Sequence, residues 1–141
     1  VKQHRGADMT GLSKFESERA IIRQALLDAG IAQVIYNKDD IPKDLPAAIV
    51  ILEGETGKNG TGRQYVDTDI AWTVFIIVNA TKAEDPDADL YALKELFREK
   101  YRESMYRDIP AIEYYTSRLD GARLVRVARM ALLKSGTGAG S

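Results

Sequence analysis

Residues Ile70 to Val78 read IAWTVFIIV, and this stretch restricts the fold more than any other part of the chain. β-branched and aromatic residues dominate it, the types that suit a pleated strand. It is far shorter than the roughly 20 apolar residues of a membrane-spanning helix. Just upstream the pattern alternates. Tyr65, Asp67, Asp69 and Ala71 fall on one face, and Val66, Thr68, Ile70 and Trp72 on the other. Beyond Trp72 both faces are apolar, so that end of the strand is expected to be buried on both sides.

Other elements arrange themselves around this strand. Ala47 to Leu52 (AAIVIL) is a second β-rich run, and Ile31 to Tyr36 a short one. Between the two long runs lies Glu53 to Arg63 (EGETGKNGTGR), read as a glycine-rich connector of an antiparallel pair. Ser13 and Glu16 fit a capping box and predict a helix start there. Phe15, Ile22, Leu26 and Ala29 then recur at helical spacing, with Glu16, Glu18, Arg19 and Arg23 mostly elsewhere, up to a stop at Gly30. Asn37 to Pro46, with two prolines and three aspartates, reads as an irregular loop.

A second helix is predicted from Asp85, an N-cap residue, and Pro86, which suits the first helical position. Leu90, Leu93, Phe97, Tyr101 and Met105 form its apolar stripe, and Pro110 closes the segment. Asp120-Gly121 is a tight-turn signal between Ile112–Leu119 and Ala122–Leu133. The expected class is α+β in the order α-β-β-β-α-β-β, with one antiparallel or mixed sheet and two helices packed on one face. Residues 12–134 are expected to form one domain, between a flexible lead (1–11) and a small, polar, flexible tail (135–141). The chain starts with Val, so part of the lead is expected to be an addition, with Met9 as the natural start.

Lys+Arg 20 against Asp+Glu 21 leaves a formal net charge of -1, which disfavours a general binder of nucleic acid or anionic membrane. The chain has no cysteine, which removes disulfides, thiolate metal sites and cysteine nucleophiles. His4 is its one histidine and lies in the lead without partners, so a Ser-His-Asp site is not expected. Gly54-Glu55-Thr56-Gly57-Lys58-Asn59-Gly60 has the flavour of a phosphate loop. It lacks the Ser or Thr after Gly-Lys, and a strand rather than a helix follows. Asp67 with Asp69 makes only a poor oxygen cage for a divalent cation. No enzyme, no cofactor and no metal is expected.

What remains are residues suited to contact. Gly54, Glu55, Thr56, Gly57, Lys58, Asn59, Gly60 and Arg63 form a polar connector with no apolar residue to anchor it. Tyr101, Tyr106, Tyr114 and Tyr115 surround the exit of the second helix, and tyrosine suits interfaces and core margins alike. Arg118, Arg123, Arg126 and Arg129 bias the last hairpin towards positive charge, with Arg123 and Arg129 on one strand face and Arg126 on the other. The candidate interface is therefore the connector together with Tyr106, Tyr114, Arg123 and Arg129.

The layout resembles the tail-terminator, tail-completion and neck proteins of long-tailed bacteriophages and phage-like particles. The resemblance rests on the helix Lys14 to Ala29, the strand Ala47 to Leu52, the long loop, and the strand Asp69 to Val78. The second helix and the Asp120-Gly121 hairpin complete it. It implies a virion protein made in the host cytoplasm, forming a homo-oligomeric ring, usually a hexamer. Such a ring stops the tail tube, meets tail-tube and head-connector proteins, and makes at most non-specific contact with DNA in its lumen. It carries over no catalytic residue and no membrane association. The alternative is a small ferredoxin-like module that binds a ligand or partner.

Overall fold

The structure is a computed structural model and describes residues 6–58, 67–105 and 107–132. In chain order the elements are α1 (Gly6–Ala29), β1 (Gln33–Ile35), β2 (Ala47–Lys58), β3 (Asp67–Asn79), α2 (Pro86–Met105), β4 (Ala111–Leu119) and β5 (Arg123–Leu132). This is the α+β order expected. The strands form one five-stranded sheet, β1-β2-β3-β5-β4. β1 runs parallel to β2 and every other pair is antiparallel, so the sheet is mixed.

Both helices pack on one face. Ile22, Leu26 and Ala29 of α1 and Leu90, Phe97 and Tyr101 of α2 meet Val50, Trp72, Val74, Ile76, Ala128 and Met130 of the sheet. Each large side chain enclosed there contributes about 1.5–3 kcal/mol. α2 begins as its sequence predicts, with the Ala88 N–H donating to Asp85 Oδ1 at 3.1 Å. α1 ends at Gly30, whose φ of 108° lies in the left-handed region. The hairpin between β4 and β5 turns through Asp120 and Gly121, both at positive φ.

The opposite face of the sheet carries a second apolar cluster: Ile35, Ile49, Ile77, Val125 and Val127, with Leu45, Ile51, Phe75 and Leu119 against it. The loop after β1 lies across one end of this cluster. Gln33 Oε1 accepts from the backbone N–H groups of Lys43 and Asp44 at 2.9 and 3.0 Å, and Arg123 Nη2 donates to the Pro42 carbonyl at 2.8 Å. Burial of β3 on both sides follows, with Ile76 0% and Ile77 4% exposed on opposite faces.

Two expectations need correction. α1 opens at Gly6 rather than at Ser13, so Gly6 to Gly11, expected as a flexible lead, are helical backbone. A capping box favours a start but does not stop the residues before it from extending the helix. Glu53 to Lys58, expected as the first part of a connector loop, belong to β2 and pair with β3 as far as Lys58↔Asp67. Their glycines signalled a loop locally, whereas pairing with a long neighbouring strand decided the conformation.

Candidate assembly interface

Among the described residues the β2–β3 hairpin outruns the rest of the sheet. β1 flanks β2 only at Ala47, Ala48 and Ile49, and β5 flanks β3 only from Asn79 to Trp72. Gly54 to Lys58 and Asp67 to Ala71 therefore form a two-stranded arm, and no described strand lies along either of its sides. The arm starts at a β-bulge. Leu52 stands opposite Trp72 and Gly54 opposite Ala71, so Glu53 is the extra residue and the face alternation inverts there. Ile70, 5% exposed, ties the base of the arm to the core. Leu52 is 49% exposed, and Glu53, Glu55 and Thr56 are exposed beside it.

At the other edge of the sheet lies β4. All its residues are exposed except Ile112 and Leu119, which are half-buried. Its outer side pairs with no described strand. Tyr114 points to the helix-bearing face and stacks on Tyr91 of α2, ring centroids 6.5 Å apart. Tyr115 points to the other face beside Ile77 and Val127, where a cavity of about 170 Å³ opens, and burial raises its pKa. Arg118 Nη1 donates to the Ala122 carbonyl at 3.2 Å.

The structure separates the residues expected to act together. Gly54, Glu55, Thr56, Gly57 and Lys58 lie in the arm. Asn59, Gly60, Arg63 and Tyr106 lie outside the described residues. Tyr114, Arg123 and Arg129 belong to the final hairpin, across the sheet from the arm. Arg123 and Arg129 do share the helix-free face. Arg123 holds the Pro42 carbonyl, and Arg129 Nη1 stands 3.4 Å from Glu113 Oε1. Arg126 points to the helix side and binds Asp87 Oδ1 at 2.7 Å. Tyr101 is core, 1% exposed, and burial raises its pKa.

Three charged clusters escaped sequence reasoning. Glu18, 5% exposed, accepts the indole N–H of Trp72 at 3.0 Å, and Arg107 Nη2 lies 3.6 Å from its other oxygen. Lys94, 2% exposed, sits under α2 with its ammonium 3.6 Å from the Tyr91 ring centroid and bonded to Glu95. Burial opposes its charge, but the bond to Glu95 and the nearby tyrosines outweigh that and raise its pKa. Arg98 grips Asp108 through two hydrogen bonds of 2.9 and 3.1 Å, which lower the Asp108 pKa to about 2. Spacing was the available signal: Glu18 falls between Phe15 and Ile22, and Lys94 between Leu90 and Phe97, on the apolar stripes.

None of these clusters brings together a nucleophile and a base. Among the described residues no group of three or more His, Cys, Asp or Glu is placed to hold a metal ion. No described helix is long and apolar enough to cross a membrane. The cleft between α1 and α2, about 540 Å³, is lined by Ser17, Gln24, Asp28, Lys100 and Glu103 and is open to solvent. No family model matches the chain, and no curated protein matches it.

Proposed function

We propose that this chain is a self-assembling structural subunit of a virion, of the kind that forms a ring on the end of a phage tail tube and joins it to the head connector. The observation that carries this reading is the arm. A two-stranded ribbon is at best marginally stable alone in water, and open strand edges are templates for pairing. An arm projecting past the sheet is therefore best accounted for by contact with another chain. The arm and the exposed edge strand β4 are unlike surfaces on opposite sides of one subunit. Contacts between unlike surfaces run head to tail, and they close into a ring when the rotation from copy to copy closes on itself. A hexamer is the expected closure, with tail-tube and connector proteins on its two ends and non-specific DNA contact in its lumen.

The test is capping. A tail-tube protein from the genome that encodes this chain is allowed to polymerise with and without it, and the products are viewed by negative stain. The proposal expects shorter tubes bearing a ring at one end. Tubes of unchanged length with bare ends would contradict it.

A further inference from the structure

Strand directions in the sheet set how two copies can meet. β2, β3, β5 and β4 alternate in direction, because each adjacent pair is antiparallel. β2 and β4 therefore run oppositely within one subunit. In a second copy facing the same way, β2 also runs opposite to the first copy's β4. The two edges are complementary in an antiparallel sense without either copy being turned over, and that is the requirement for head-to-tail assembly.

We infer that β4 of one copy pairs with the open side of β2 in the arm of the next, so that the sheet continues from subunit to subunit. The inference rests on the reading of the chain as a self-assembling subunit and names the contact that joins the copies.

Three observations favour this occupant. The first is length. β4 has 9 residues, and the side of β2 left free by β1 runs over an equal stretch, Val50 to Lys58. β4 also lacks two of the devices that protect edge strands: AIEYYTSRL contains no proline, and its register with β5 is unbroken by a bulge, its charged residues being Glu113 and Arg118. The second is charge. The described arm and the bulge at its base carry the acidic residues Glu53, Glu55 and Asp69, whereas the final hairpin carries Arg118, Arg123, Arg126 and Arg129 against Glu113 and Asp120. Arg118 has no carboxylate within salt-bridge distance among the described residues. The third is the match of faces. Leu52, 49% exposed, and Tyr114, 39% exposed, both lie on the helix-bearing face, where Tyr91 beside Tyr114 is 55% exposed. The arm's Leu52 thus reaches the Tyr91–Tyr114 stack, and apolar surface exposed in the single chain becomes covered.

The contact implies a geometry. Ala111 begins β4 level with Thr73 and Ile51, so the arm extends past the end of β4. Adjacent copies are staggered along the strands, and the strands incline to the axis relating the copies, as tilt and stagger are linked in closed barrels.

The absence of cysteine gives a direct test. Thr56→Cys in the arm and Glu113→Cys on β4 are both exposed on the helix-free face, come opposite one another when β4 lies antiparallel along Val50 to Lys58, and are prepared as separate full-length proteins. Each alone, and the two mixed, are treated with a short bis-maleimide, whose span tolerates a shift of register. Light scattering on untreated samples reports the assembly state. Cross-linked dimer in the mixture, absent from either variant alone, is the expected result. Cross-linking within a single variant would indicate like-to-like contact and overturn the inference. An oligomer without cross-link would overturn this contact while self-assembly stands. A monomer without cross-link would overturn both.

Discussion

The indole N–H of Trp72 donates to Glu18 at 3.0 Å inside the core, and Arg107 stands 3.6 Å from the second carboxylate oxygen. This joins α1 to the base of the arm and to the segment after α2. Removing the carboxylate leaves a buried donor and a cation without their partner. Glu18→Ala is therefore expected to destabilise the subunit by about 2–3 kcal/mol. Glu18→Gln keeps an acceptor for the indole and should lose about 1 kcal/mol. Urea unfolding followed by Trp fluorescence measures both. Equal losses would mean that the contact is packing alone.

Asp108 contributes through its charge. Its folded pKa, about 2, lies below the ordinary 3.8 because Arg98 and the Ile109 N–H hold the carboxylate. The contribution is present above about pH 4 and is lost as pH falls through 2. The pair is partly exposed, so Asp108→Asn should lower stability at pH 7 by only about 0.5–1 kcal/mol. The gap between the two proteins should close on acidification. A difference that persists at pH 2 would contradict the assignment.

Lys94 fills space beneath α2 as well as carrying charge. Lys94→Met preserves the stem and removes the buried charge, and should change stability by less than about 1.5 kcal/mol. Lys94→Ala leaves a cavity beside Leu90 and Phe97 and should lose about 2–3 kcal/mol. Thermal unfolding of the two variants separates packing from charge.

Signals that act between near neighbours were legible in the sequence. Asp85 with Pro86, Gly30, and Asp120-Gly121 mark the ends and turns where the structure has them. The apolar run after Trp72 placed β3 inside the sheet. Gly54 and Gly57 misled because their strand conformation comes from Ala71 and Thr68 across the ladder, not from their neighbours. The bulge at Glu53 and the parallel β1 are likewise settled by partners distant in sequence. Glu18 and Lys94 were passed over because their charge outweighed their spacing, although Trp72, Arg107 and Glu95 supply the partners that allow burial.

The arm can be removed without touching the core. Glu55 pairs with Ile70, so replacing residues 56–69 by Asn-Gly closes the hairpin with a two-residue turn. Ile70 and Trp72 remain in place. The shortened chain should keep its circular dichroism and melt within a few degrees of the parent, while losing association. Loss of folding would show the arm to be part of the domain core.

Self-assembly is the central claim, and mass measured against concentration tests it most directly. The subunit is 15.7 kDa. Light scattering after size exclusion should show the intact chain rising from that mass to one larger, fixed mass as concentration increases, the plateau of a closed ring. The arm-deleted chain should stay at the mass of a single chain throughout. An intact chain that remains monomeric at every concentration would contradict the account.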